Sequence, residues 1–553
     1  MFLKMRPLFP GVLLLLLAVS AAGQSPPLVE SIEVRVVSVD VVVTDRAGNP
    51  VPNVTKDDFE LLEENKPQTI TNFAEIRIDT NAVTAPNATP AAGVPPPRPR
   101  SFLIFFDNRS IQPQMRKLLV DSLQRFVDQL RPSDVVSVVS WGRGIHIVAP
   151  LTSDKGSLQM AIQRLATMEL PTTVHNDLSR VQRQCTTSLN MARSGRIPMT
   201  AAYTECIAEA RHETSDATYY SRQVLQGIDI ALAMTADAPG KRSLIVAGGQ
   251  MPRNPGAAIY AWANQLFTPY LSGFNAPHER PEVRETEQQD LVDQVARRAS
   301  ERGVTLYMLA ATSPADMNDA SSPDYTPDMG AGFLHQRDTE DSFSEMASQT
   351  GGFMAGRSQL PSALQAIDRE TSSYYSLGYH PAGEWRSPRV ITVRMKNKKY
   401  VARTRRTVSP RDADETMRDR VIANIFRAPE ETKWKIAVRA GKARRAGRGT
   451  FTVPIEVLMA PTLTLLPQGN DVAGGYGVYI SVGNETGGLS NMFHHVQGVR
   501  MAKGDEGKFR AEPIVFTATL TVRGGENLLS VGVIDQMTNA AGFARAVVLA
   551  KEP

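Results

Sequence analysis

Three features of the sequence predict a doubly wound α/β sheet flanked by antiparallel β-sandwich modules. Apolar strand-like runs alternate with helical stripes across residues 101–372. Before this stretch, and separated from it by a Pro-rich segment, lie short runs of period-two alternation. After it, the last third of the chain carries alternating strands and Gly-rich turns with almost no helical periodicity.

The chain has 553 residues, 42% of them hydrophobic, enough for several cores, and this excludes wholesale disorder. Once Lys4 and Arg6 are removed with the leader, 59 basic residues stand against 57 acidic ones, so the charge balance gives no reason to expect nucleic-acid binding. Residues 1–23 read as a secretory signal peptide. Lys4 and Arg6 form a basic start, residues 13–17 are all leucine, and Ser20, Ala21, Ala22 and Gly23 supply small residues for cleavage. The apolar run is shorter than the roughly 20 residues that span a bilayer. The expectation is an exported chain in the periplasm, on the outer surface or outside the cell, with no transmembrane span in its mature form. In an oxidising compartment Cys185 and Cys206, the only two cysteines, pair as a disulfide.

The elements follow in order. Residues 29–77 read as a small β unit, with Ile32, Val34 and Val36 alternating and then Val37, Val39, Val41 and Val43 carrying the apolar phase onward, as a bulge near Val36 would produce. Residues 78–100 are rich in Pro, Ala and Thr and read as a linker. Residues 102–106 form a continuous apolar run ending in Asp107, the pattern of a strand buried on both faces. Pro113 opens a helix with Met115, Leu119, Leu123 and Phe126 on one stripe. Strands follow at 135–139 and 145–151, and Ser153 or Asp154 caps the next helix. Val224, Leu225, Ile228 and Leu232 mark another helix before a buried strand at 243–247, which ends in Gly248 and Gly249. A helix near 287–302, a strand at 304–310, a short helix capped by Ser342 and a last helix near 361–370 complete the alternation. Residues 374–407 read as strands that pair with the first β unit, 411–426 as a helical connector, and 434–553 as a β-sandwich.

The strand ending in Asp107, the long helix after it, the strand pair near 134–139 and the late Met346-Ala347-Ser348-Gln349-Thr350-Gly351-Gly352-Phe353 resemble a von Willebrand factor type A domain. With Val42-Val43-Thr44-Asp45, Asp57-Asp58-Phe59-Glu60-Leu61-Leu62-Glu63 and Tyr374-Tyr375-Ser376-Leu377-Gly378-Tyr379-His380-Pro381, the chain resembles exported von Willebrand A-related proteins of the acidobacterial type. The resemblance implies a von Willebrand A-like sheet with its ligand face at the carboxyl ends of the strands. It also implies a place for a magnesium ion, held by Asp-x-Ser-x-Ser and by a later Thr and Asp. Here the segment is Asp107-Asn108-Arg109-Ser110-Ile111, so Arg109 and Ile111 stand where serines would be and Gly248 where the later Asp would be. The ligand-face candidates are Asp107, Asn108, Arg109, Ser110, Gly248 and Gly249. No cofactor is expected. Were magnesium bound, Asp107, Ser110 and Thr218 (or Thr214) would be its ligands. Asp107 is expected instead to cap neighbouring amides or to pair with Arg109.

Residues 166–220 form an insertion that holds both cysteines and reads as a long loop capping the ligand face; residues 314–337 read as a second, mobile loop. Lys442, Arg444, Arg445 and Arg448 form a basic patch read as a solvated turn, and His494-His495 a surface pair with no acidic partner. No nucleophile elbow, phosphate loop or His-Glu-x-x-His occurs. The function expected is a non-enzymatic adhesion or binding protein with a protein or cell-surface partner. A structural module of an envelope assembly, with self-association, is the alternative. A metal-dependent hydrolase built on Asp107 would need ligands the chain lacks.

Overall fold

A computed structural model describes residues 36–77, 99–111, 113–142, 144–168, 178–249, 251–278, 285–311, 329–383, 385–410, 412–429, 432, 434–484 and 488–551. The signal peptide, the alternation before Val36 and most of the Pro-rich segment lie outside these residues.

Strands β1 (Val37–Thr44), β2 (Phe59–Glu63), β3 (Lys66–Gln68) and β4 (Asn72–Arg77) open the described chain. The central region follows with β5 (Arg100–Asp107), α1 (Pro113–Gln129), β6 (Val135–Trp141), β7 (Ile145–Thr152), α2 (Lys155–Thr167), α3 (Leu178–Arg193) and α4 (Met199–Met234). It continues through β8 (Lys241–Gly248), α5 (Ala257–Phe267), α6 (Glu285–Glu301), β9 (Val304–Ala310), α7 (Met329–Gln349), β10 (Met354–Ala355) and α8 (Leu360–Ser372). These strands form one sheet in the order β10-β9-β8-β5-β6-β7, parallel throughout except for the antiparallel edge strand β7.

Every residue of β5 is buried because both faces of the sheet are covered. Phe102, Ile104 and Phe106 pack against α1, α2 and α8, while Leu103 and Phe105 face α4, α6 and α7. Asp154 caps α2 by accepting from the Ser157 N–H at 2.8 Å. Helix α7 closes on a left-handed Gly351 (φ 84°), with the Gly352 N–H donating to the Ala347 carbonyl at 3.0 Å.

Arg100 belongs to β5 and is buried, which corrects its assignment to the linker. Its guanidinium is tolerated there because it pairs with Asp134 and Asp368 and donates to Thr371 and Ser372. Ser342 does not start a helix; it sits inside α7, which begins at Met329, so residues 329–337 of the supposed second loop are helical. The part of that segment before Met329 lies outside the described residues from residue 312.

The insertion is corrected from a loop to a helical hairpin. Helix α3 and the first half of α4 lie side by side, turned at a left-handed Gly195 and joined by the Cys185–Cys206 disulfide. Val181, Cys185 and Leu189 face Ala202, Cys206 and Ala210, and α5 completes this satellite core with Ile259, Tyr260 and Phe267. Closing a 21-residue separation contributes about 3 kcal/mol in the chain-entropy account.

Past the central region, β11 (Ser373–Tyr379), β12 (Arg389–Met395), β13 (Val401–Arg403) and β14 (Thr407–Val408) return to the first strands. They complete two four-stranded sheets, β13-β1-β11-β4 and β14-β12-β2-β3, around Val39, Phe59, Leu61, Leu377 and Ile391. Helix α9 (Ala413–Phe426), capped by Asp412, then leads to β15 (Ile436–Ala440), β16 (Arg444–Gly447), β17 (Thr450–Met459), β18 (Leu466–Gln468), β19 (Asp471–Asn484), β20 (Phe493–Ala502), α10 (Glu506–Ala511), β21 (Ile514–Arg523), β22 (Gly525–Asp535) and β23 (Ala541–Ala550). One sheet is centred on β17 and the other on β19 and β22, with Val453, Ile455, Val478, Val531 and Val533 between them.

Candidate functional site

The site is built where β5 and β8 end. A strand buried on both faces delivers Asp107 into a closed space at the edge of the sheet, leaving the carboxylate 1% exposed. Such a group needs donors. The Arg109 N–H donates to Oδ1 at 3.2 Å and the Ser110 hydroxyl to Oδ2 at 2.5 Å. The Tyr220 hydroxyl lies between both oxygens, at 2.5 Å from Oδ1 and 2.6 Å from Oδ2. Ser110 in turn accepts from the Gly249 N–H at 2.8 Å. Gly249 is required here, since a Cβ would fall 2.4 Å from the Ser110 carbonyl oxygen. Gly248 is not under that constraint, because a Cβ would make ordinary 3.5 Å contact with Asp107.

Tyr220 reaches Asp107 along the sheet-facing stripe of α4, which runs Tyr220, Val224, Gly227, Ile228, Ala231. Gly227 brings the helix close, because a Cβ there would lie 2.7 Å from the Trp141 ring. Arg109 does not pair directly with Asp107; its guanidinium carbon sits 4.6 Å from the Tyr220 ring centroid, a cation–π contact over the same hydroxyl-bearing ring. Arg116 holds the loop from below, donating to the Asn108 carbonyl at 3.2 Å and the Leu165 carbonyl at 2.7 Å. Burial pushes the Asp107 carboxyl up, opposed by the Ser110 and Tyr220 hydrogen bonds, and burial beside Asp107 pushes the Tyr220 phenol well up.

Asp107, Arg109, Ser110 and Gly249 are therefore brought together, and Gly248 lies beside them. Asn108 is buried, its N–H donating to the Trp141 carbonyl. Thr218 does not join the group: its hydroxyl donates to the Thr214 carbonyl of its own helix, as Thr214 donates to Ala210. A hard divalent cation needs about six oxygen ligands. This donor set does not fit one: a single carboxylate already takes hydroxyl donors on both oxygens, beside a guanidinium. Among the described residues no group of three or more His, Cys, Asp or Glu is placed to hold a metal.

Between α5 and α7, and reached by Ala217 one turn before Tyr220 on α4, a cavity of about 510 Å³ is lined by Ile259 and Leu334 and by the polar Asn254, Arg337, Asp338 and Asp341 among others. Leu334 is half exposed at its wall, and neighbouring Phe333 is exposed as well. Away from this face, His494 has the acidic partner that its sequence context hid. Its ring stacks on Tyr479 with centroids 4.2 Å apart, and its Nδ1 lies 3.5 Å from Asp414 Oδ1 on α9. Tyr479 also donates to Asp414, at 2.7 Å. Arg444 and Arg445 are exposed on β16.

With its six-stranded order and single antiparallel edge, the central sheet is von Willebrand factor A-like. Solved structures similar to the chain include an aerotolerance-related membrane protein from Bacteroides fragilis (14% identity, 50% of this chain and 98% of that one, TM-score 0.24). Another is the vWF domain of the type V pili tip protein Mfa5 from Porphyromonas gingivalis (14% identity, 49% and 94%, TM-score 0.25). A third is a manganese-loaded TRAP protein from Plasmodium vivax (9% identity, 57% and 95%, TM-score 0.22). No family model matches the chain, and no curated protein matches it in sequence.

Proposed function

We propose that this chain is an exported, non-enzymatic binding protein that docks a protein or cell-surface partner on the face above Asp107, without a bridging ion. The observation that carries the reading is the Tyr220 hydroxyl lying across both Asp107 oxygens, the place from which a cation would otherwise be held. A carboxylate so engaged offers nothing to a partner's own carboxylate through a metal, so recognition falls to shape and hydrogen bonding. The cavity between α5 and α7, which sets Ile259 and Leu334 beside the charged Arg337, Asp338 and Asp341, gives such a partner a side-chain pocket. The disulfide-joined hairpin supplies a rigid wall beside it. Export rests on the leader composition of residues 1–23.

The test is retention of the purified chain on envelope fractions of its source cells, in excess magnesium and in excess EDTA. Equal retention in both, lost in Leu334→Glu, is expected. Retention that requires magnesium overturns the ion-free reading, and absence of retention in either condition overturns the binding role.

A further inference from the structure

The C-terminal sandwich has one edge strand that lacks the devices by which proteins keep edges unpaired. β21 pairs only with β17 among the described residues. Its ten residues, Ile-Val-Phe-Thr-Ala-Thr-Leu-Thr-Val-Arg, contain no proline, no glycine and no charge before the terminal Arg523. The other long edges differ. β20 carries Gly498, Arg500 and two histidines, and β23 carries Arg545 and packs closely at Gly542 against the Trp434 carbonyl. A long, flat, uncharged edge is a template for another strand.

The sandwich is also open on that side. Phe493 and His495 point from β20 toward the interior yet remain exposed, with Phe516 of β21 at 6.2 Å and 5.5 Å between ring centroids. Along β21 the interior-facing Ile514, Phe516, Ala518 and Leu520 are only half-buried, while Val515, Thr517, Thr519 and Thr521 face solvent. The strand's own pattern suits a second copy of itself. Antiparallel pairing of two copies about Ala518 sets Thr517 opposite Thr519, Phe516 opposite Leu520, Val515 opposite Thr521 and Ile514 opposite Val522. Every interior residue then meets an interior residue, and no like charges face each other. A register shifted by one residue would put interior positions opposite exterior ones.

We propose that β21 pairs antiparallel with the β21 of a second copy of this chain, joining the two β17-centred sheets into one across a two-fold axis. The inference does not depend on the partner face above Asp107. Sedimentation of the full chain over a range of micromolar concentrations tests it. The wild type is expected to be a reversible dimer. T517K/T519K sets lysine against lysine at both central pairs and weakens the dimer about tenfold or more. T517K/T519E puts opposite charges across the same pairs and restores it. These positions are exposed, so all three proteins are expected to melt together when diluted below the concentration at which the dimer forms. A wild type that stays monomeric overturns the pairing, and leaves the edge to a strand from an unrelated protein. A dimer indifferent to T517K/T519K overturns the surface, and failure of T517K/T519E to restore it overturns the register.

Discussion

The two ends of the central sheet treat buried charge in opposite ways. At the N-terminal ends of the strands, cations do the compensating. Arg100 opens β5 between Asp134 and Asp368, Lys241 opens β8 beneath the Tyr374 ring at 3.7 Å, and Arg403 pairs with Glu370. At the C-terminal ends one carboxylate is compensated by hydroxyls and an amide, with the nearest guanidinium stacked on the tyrosine rather than on the acid. The first arrangement ties the outer β strands to the sheet, because Arg403 comes from β13 and Tyr374 from β11. The second seals a lone carboxylate at the opposite end of the strands. An ion pair at the sealed end would need a partner of full opposite charge, whereas a phenol satisfies the acid while remaining neutral.

The comparison can be broken most severely at the ionic end. Arg100→Met leaves Asp134 buried without its ion-pair partner and is expected to cost about 3–5 kcal/mol in denaturant unfolding. The double variant with Asp134→Leu should recover part of that loss, since an apolar replacement of an ion pair is often near neutral while Asp368 still lacks its guanidinium. Removing the disulfide by Cys185→Ser with Cys206→Ser acts at neither end. It is expected to cost about 3 kcal/mol, with faster hydrogen exchange confined to α3, the first half of α4 and α5. Tyr220→Phe tests the hydroxyl end directly. The buried carboxylate keeps only Ser110 and the Arg109 amide, and the expected loss is about 1–3 kcal/mol.

Asp107→Asn should have the smallest effect, within about 1 kcal/mol of wild type at neutral pH, because an amide can still accept from Tyr220 and donate to Ser110. Its pH dependence carries the sign. Burial raises the folded Asp107 value, so the folded state holds that proton more tightly than the unfolded chain does. Wild-type stability relative to Asp107→Asn is therefore highest below the ordinary carboxylate value of about 3.9 and falls as pH rises through the raised one. A stability difference between the two proteins that does not change with pH would remove the claim that Asp107 is strained by burial.

What could be read from the chain divides along the same lines. The strand-helix alternation announced the sheet because β5, β8 and β9 are buried on both faces over most of their length and show as largely apolar runs. Asp107 was visible because it ends such a run. Tyr220 was not, since 113 residues separate it from its partner and no spacing links them. The signal existed in the helix itself: extending the stripe through Val224 and Ile228 back by one turn arrives at Tyr220. The hairpin was obscured for a different reason. Its buried positions 181, 185, 189 and 202, 206, 210 recur every four residues, but small side chains and cysteines fill many of them among polar neighbours. Helix α5 is apolar on nearly every side because α7 and the hairpin enclose it, so it lacks the amphipathic contrast that marks a surface helix.

Helix α4 carries Cys206 in the hairpin and Tyr220 over the sheet within one unbroken stretch of 36 residues. The 14-residue step from one to the other spans about 21 Å of continuous rod. The stapled hairpin and the phenol that covers the aspartate are thus two stations on one rod, fixed in rotation and height relative to each other.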